Sequence, residues 1–185
     1  MTGSPSEKTA TDVRYRTPVP EDAVAVWRMV LDEPMLDDNS SYHYRLWFRD
    51  FAETSVVATV GDDIVGFLTG YRRPDAPDTF FIWQAAVKPG NGISGLGIDL
   101  LVHAIDLQLA TGAKYVETSV SRENKAIVML LHMVATTYDA DTLSELLFRA
   151  EDLPGGDHDE VLHRIGPLNP RTAGEPGKGA GRRSR

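Results

Sequence analysis

The sequence predicts a single α/β domain, α+β in its ordering, built on a mixed central β-sheet with helices on both faces. Three observations carry that expectation. Runs with apolar residues at helical spacing interleave with short apolar runs rich in Val, Ile and Phe. The strand-like runs of the middle follow one another directly, whereas the later ones are separated by helices, a mixture that implies a mixed sheet. A chain of 185 residues that is 42% hydrophobic can also bury one core without disulfide staples.

The elements follow in order. "DVRYRTP" reads as a first strand, stopped by Pro18. Thr17 is expected to cap a helix whose first turn holds Pro20, Glu21 and Asp22, because acids suit the positive end of a helix. Val24, Trp27, Val30 and Leu31 continue that helix, and "PMLDDNSS" breaks it with turn residues. "YHYRLWFRDFA" restores a helical period, with Tyr44, Trp47, Phe48 and Phe51 on one stripe. "TSVVATV", a Gly-Asp-Asp turn and "IVGFLTGYRR" form a hairpin, and "DTFFIWQAAV" is a buried third strand. "GIDLLVHAIDLQLATG" is a helix ended by Gly112, "KYVETSV" a strand and "ENKAIVMLLHMVA" a helix. A short helical piece is expected near "SELLFRA", before "DEVLHRI" closes the chain as a strand. The domain is expected over residues 13–168, with disordered segments at 1–12 and at 169–185, the latter rich in Gly, Pro and Arg.

Composition narrows the function classes. The absence of cysteine excludes thiolate zinc sites and cysteine nucleophiles, and it suits the cytoplasm. No apolar run reaches the roughly 20 residues that span a bilayer, so no membrane association is expected. A net charge of −8 argues against nucleic acid as a partner, since that needs a basic footprint.

The stretch "VKPGNGISGLG" can be read in two ways. Gly90, Gly92 and Gly95 spell the dinucleotide fingerprint, and Glu117 lies where an acid would meet a ribose hydroxyl. Against it, the loop follows an antiparallel hairpin, and too few β-α units remain for a doubly wound sheet. The other reading is a phosphate cradle made by one strand, one loop and one helix N-terminus.

The order of elements resembles that of the GNAT N-acetyltransferases. The blocks "LDDNSSYHY", "FAETSVVA", "GFLTGYRRPDAPDTFFIWQAAV" and "DEVLHRIGP" resemble, more narrowly, the diaminobutyrate acetyltransferases of ectoine biosynthesis, over about residues 16–167. The resemblance implies a GNAT fold and direct transfer of acetyl from acetyl-CoA to the 4-amino group of L-2,4-diaminobutyrate in a ternary complex. It implies a homodimer too, although the Tyr44–Phe51 stripe is equally readable as core. No metal is implied; His158 with Asp157, Asp159 and Glu160 is a metal set on residue type alone.

The same resemblance suggests where each ligand sits. The end of strand "FIWQAAV" would pair with the pantetheine arm through Ala85, Ala86 and Val87, the backbone N–H near Val87 pointing at the thioester oxygen. Gly92, Ser94, Gly95, Leu96 and Gly97 would hold the pyrophosphate, and Asn124 would sit beside the arm or cap its own helix. Asp37, Asn39, Ser40, Ser41 and Tyr42 would line the amino-acid pocket, though Asn39 or Ser40 is also a natural helix cap. Trp83 would stand next to the reacting centre, with Gln84 on the opposite face by strand alternation. Glu160 would take the proton of the attacking amine. Two departures from the family pattern fall on the cofactor half: Gly92 stands where an arginine is usual, and Ile127 where a serine is. They leave open a weakly active member that serves as a binding protein, and the acceptor is open to another small amine.

Overall fold

The computed structural model describes residues 12–34, 36–153 and 158–171. Seven strands form one sheet, in the order β1-β2-β3-β4-β5-β7-β6. They are β1 (Val13–Arg16), β2 (Val56–Val60), β3 (Asp63–Arg73), β4 (Ala76–Val87), β5 (Tyr115–Ser121), β6 (Thr142–Phe148) and β7 (Glu160–Ile165). The helices are α1 (Ala23–Leu31), α2 (Ser41–Asp50), α3 (Leu96–Ala110) and α4 (Lys125–Thr137). All neighbouring strands pair antiparallel except β4 and β5, which are parallel because α3 crosses over between them.

Alternation along the strands divides the core in two. Val56, Ala58, Leu68, Phe80, Ile82 and Val116 meet Leu100, Ala104 and Ile105 of α3 and Leu131 and Val134 of α4. Val57 and Phe67, one residue out of phase, meet Val26 and Val30 of α1 and Tyr44 and Phe48 of α2. Helices therefore cover both faces, as the sequence predicts, and α1–α2 and α3–α4 occupy opposite sides.

Four local expectations need correction. Asp22, not Thr17, organises the entry to α1: its carboxylate accepts the Val19 N–H at 2.8 Å and holds Arg16 by two bonds of 2.6 and 2.8 Å. The buried stripe of α1 is Ala23, Val26 and Val30, which pack against α2 and the sheet residues Val57 and Phe67, whereas Val24 and Leu31 are exposed. The "SELLFRA" segment is not helical but forms most of β6, paired with β7 from Thr142↔Ile165 to Phe148↔Glu160; ladder bonds to a neighbour override a weak local pattern. Finally, Asn169 donates to the Asp139 carbonyl at 2.9 Å and Arg171 pairs with Asp106 at 3.3 Å, so the first residues assigned to the tail are tied to the body. Residues 1–11 and 172–185 lie outside the described residues.

Candidate active site

The site is built around a fork in the sheet. β4 and β5 pair only from Thr79↔Tyr115 to Ile82↔Thr118. Beyond that rung β4 continues to Val87 on β3, while β5 continues to Ser121 on β7. The Thr118 hydroxyl donates to the Ile82 carbonyl at 3.0 Å and closes the last rung. From Trp83 to Val87, the β5-facing edge of β4 has no strand partner among the described residues. Ala85, Ala86 and Val87 thus present a free strand edge inside the molecule, an arrangement that asks for an extended ligand.

A β-bulge sits at the mouth of this fork. Thr69 pairs with Gln84 and Gly70 with Ile82, leaving Trp83 as the extra residue. The bulge resets the alternation, so Trp83 and Gln84 both face α2, contrary to the expected opposition. Trp83 stacks on Trp47 with ring centroids 5.9 Å apart and is 47% exposed. Gln84 is buried; it accepts from the Tyr44 hydroxyl at 2.7 Å and donates to the Asp37 carbonyl at 3.1 Å. It thereby fastens the loop before α2 to the bulge.

In that loop the Ser40 hydroxyl accepts the His43 N–H at 3.1 Å, which makes Ser40 the N-cap of α2. Asn39 donates to the Asp37 carbonyl at 3.4 Å, Ser41 opens the helix, and Tyr42 is exposed. The Asp37 carboxylate accepts no hydrogen bond from the described residues, so it is available to an ammonium group. The expected aromatic stripe of α2 splits into two rows. Tyr44 and Phe48 are core, while His43, Trp47 and Phe51, four residues apart, flank the fork. Sequence reasoning assigned His43 no role; its i, i+4 spacing to Trp47 was the available signal. Burial pushes the His43 imidazole below its ordinary pKa, which favours the neutral ring.

Glu160 opens β7 opposite Ser121, half-buried, and its carboxylate makes no hydrogen bond or ion pair among the described residues. Its face is fixed by Glu117, fully buried, which pairs with Arg73 at 2.8 Å and with Arg164. Arg164 and Glu160 lie four residues apart on β7 and share a face; Glu117 pairs with Phe81 on β4, whose ring packs on Tyr71, which in turn packs on Trp47. Glu160 is therefore on the α2 side, with Trp83, Gln84 and Asp37. The role of Glu117 as a ribose ligand falls away, since both its oxygens are spent on arginines in the interior. Around Glu160, Asp159 accepts the Ala150 N–H and His158 lies 3.6 Å from Glu123. Among the described residues no group of His, Asp and Glu is placed to hold a metal ion, and Asp157 lies outside them.

On the opposite face, the loop after β4 leads into α3. Gly90, Gly92 and Gly95 have φ of +67°, +72° and +81°, so glycine serves the turn itself at each. Asn91 locks the turn by donating to the Lys88 carbonyl at 2.6 Å and accepting the Ile93 N–H at 2.7 Å. Gly95 is the N-cap of α3, so the N–H groups of Leu96, Gly97 and Ile98 have no acceptor within the helix. Ser94 is exposed beside them. A Cβ at Gly97 would meet only Leu130, at an ordinary 3.6 Å, so helix packing does not require the glycine there. Asn124 caps α4, its side-chain oxygen accepting the Ile127 N–H at 3.2 Å, which leaves its amide N–H₂ to donate.

Residues 21–131 match the model of the acetyltransferase (GNAT) family. The chain is 40% identical over 153 residues to the L-2,4-diaminobutyric acid acetyltransferase of Nocardia farcinica, covering 83% of this chain and 79% of that one. It is 41% identical over 163 residues to the enzyme of the same name from Streptomyces coelicolor, covering 85% and 95%. Among solved structures, it resembles the diaminobutyrate acetyltransferase EctA of Paenibacillus lautus, in complex with L-2,4-diaminobutyric acid and coenzyme A. That match has a TM-score of 0.80 and 34% identity, and covers 85% of this chain and 96% of that one.

Proposed function

Because the chain belongs to the acetyltransferase (GNAT) family, and within it to the L-2,4-diaminobutyric acid acetyltransferases, we propose that it transfers acetyl from acetyl-CoA to the 4-amino group of L-2,4-diaminobutyrate. The observation that carries this reading is the fork between β4 and β5, which connects the two faces of the sheet. The phosphate cradle opens on the α3 side, and the free carboxylates of Asp37 and Glu160 lie on the α2 side. A donor held from one face and an acceptor held from the other meet only at the fork.

The residues present fit coenzyme A. Ala85, Ala86 and Val87 offer the strand edge to the amide groups of the pantetheine arm, and the Asn124 amide would donate to it from the start of α4. Gly92, Ser94, Gly95, Leu96 and Gly97 offer the loop and helix end to the pyrophosphate. A backbone N–H near Val87 would polarise the thioester carbonyl.

The acceptor is an amino acid with a second amine. Asp37 would hold its α-ammonium, with Asn39, Ser41 and Tyr42 around the loop, while Ser40 and Gln84 hold the loop itself in place. Trp83 would cover the carbon chain and orient the 4-amino group toward the fork. An alkylammonium has a pKa of about 10, so it must lose a proton before it attacks. Glu160, unpaired and half-buried, would accept that proton and pass it to solvent. The neutral amine nitrogen then bonds to the thioester carbon, the C–S bond breaks, and the nitrogen's surplus proton passes to the departing thiolate, which leaves as the free thiol. The product, N4-acetyl-diaminobutyrate, serves ectoine synthesis and so osmoprotection. The proposed compartment is the cytoplasm, where acetyl-CoA is available, and the proposed assembly is a homodimer.

A two-step calorimetric titration tests this reading. Acetyl-CoA should bind the free protein, and diaminobutyrate should then bind the complex formed with coenzyme A. No heat with acetyl-CoA at millimolar concentration would refute the enzyme assignment. Ornithine binding as tightly as diaminobutyrate would refute the acceptor.

A further inference from the structure

Beyond the Ile82↔Thr118 rung, neighbouring edges of β4 and β5 run on unpaired with each other. On β4, Ala85, Ala86 and Val87 keep register with Leu68, Phe67 and Gly66 of β3, so their outer edge is in a regular strand and able to pair. On β5, Ser119 and Val120 pair with Leu162 and Val161 of β7 and have no strand partner on the other side among the described residues. Neighbouring free edges gain hydrogen bonds by closing, because unpaired backbone groups away from water are unfavourable. A fork that stays open therefore needs a stop at its apex.

Thr118 is placed to be that stop. It is buried at the last rung, and its hydroxyl donates to the Ile82 carbonyl at 3.0 Å. A side chain thus takes a β4 acceptor at the point where pairing ends, as threonine and serine do when they compete with backbone ladders. Glu117, on the other face of β5, holds that strand just below the apex. Its buried carboxylate is bonded to Arg73 of β3 at 2.8 Å and to Arg164 of β7. β4 lies between β3 and β5, so the bond to Arg73 spans β4 and fixes β5 against it. Arg164 is itself held, its guanidinium 4.0 Å over the Tyr115 ring. With the base of the fork braced in this way, opening or closing begins at Thr118.

We propose that Thr118 is a positioning residue: its hydroxyl occupies the Ile82 carbonyl, ends the β4–β5 ladder at that rung, and keeps the edge from Ala85 to Val87 open for an extended ligand. That this ligand is the pantetheine arm rests on the acetyl-CoA reading above; the stop itself does not. Without the hydroxyl, the buried Ile82 carbonyl gains a donor by pairing with a backbone N–H of β5, and the fork closes by a rung.

Two substitutions test the stop. Thr118→Val keeps the branched shape and removes the hydroxyl, whereas Thr118→Ser keeps the hydroxyl. Hydrogen exchange on the free protein reads the fork directly. In Thr118→Val the amides of residues 83–87 should exchange about fivefold more slowly than in the wild type, the worth of one added hydrogen bond. Loss of stability alone would instead speed exchange. Binding gives a second readout, with acetyl-CoA compared with adenosine 3′-phosphate 5′-diphosphate, the nucleotide end of coenzyme A without its pantetheine arm. Thr118→Val should weaken acetyl-CoA about fivefold and leave the nucleotide unchanged. Thr118→Ser should match the wild type in both measurements. Unchanged or faster exchange at residues 83–87 in Thr118→Val would overturn the stop. So would a loss of acetyl-CoA affinity no greater than that of the nucleotide, or a serine variant that behaves like the valine one. A wild-type protein that binds neither ligand would overturn the proposed function, and the exchange comparison would still decide the stop.

Discussion

The family resemblance reads Gly92 as standing where an arginine is expected, and its φ of +72° gives that departure a physical consequence. An L-residue in this conformation costs about 1–2 kcal/mol, although the space around the position is open. Gly92→Arg is therefore expected to lower the KM for acetyl-CoA through its charge while lowering the melting temperature through its backbone. Unchanged stability would show that the loop relaxes freely, and an unchanged or raised KM that the arginine is not limiting. Gly90 and Gly92 are thus conformational requirements of the turn. Other residue-scale details were hidden for definable reasons. The shared face of Trp83 and Gln84 depends on one extra residue in β4, and strand periodicity carries no mark of where a bulge falls. The pairing of His43 with Trp47 across one helical turn was visible as spacing, but which side of α2 faces the fork depends on packing against β3 and β4.

At the scale of elements, the β3–β4 pair determines the site. Gly70 lies opposite Ile82, the residue before the bulge, and a Cβ there would come within 2.5 Å of the Phe80 ring and 2.7 Å of the Phe81 carbonyl. Phe80 is fully buried and cannot yield. Gly70→Ala is expected to cost about 1–3 kcal/mol, the usual cost of overpacking, and to reduce activity by displacing Trp83. Thermal melts and steady-state rates check both; a fully stable and active variant would show that the bulge tolerates a wider separation of the strands. The hairpin, the third strand and all four helices were legible because each carries a clear apolar period bounded by turn residues. β6 was not, because its run is mostly exposed and gains its order from β7. The fork itself was expected from family resemblance alone, since the register between parallel strands leaves no trace in one strand's sequence.

On the scale of the whole molecule, β6 is an edge strand that exposes Leu143, Leu146 and Phe148. Long apolar edges are normally covered, and pairing with a second copy of the chain would cover this one. The proposed homodimer should therefore dissociate in a Leu143→Lys, Phe148→Lys variant, read by sedimentation velocity. A variant that stays dimeric would place the interface elsewhere, and a monomeric wild-type protein would refute the assembly. The larger division of labour proposed here, with the cofactor on the α3–α4 face and the acceptor on the α1–α2 face, makes the fork their meeting point among the described residues. The most direct test is to incubate the protein with acetyl-CoA carrying a ¹³C-labelled acetyl group and L-2,4-diaminobutyrate, and to follow the product by NMR. The account predicts label on the 4-nitrogen, with free coenzyme A released in equal amount. Label on the 2-nitrogen, or no transfer to diaminobutyrate at all, would contradict it.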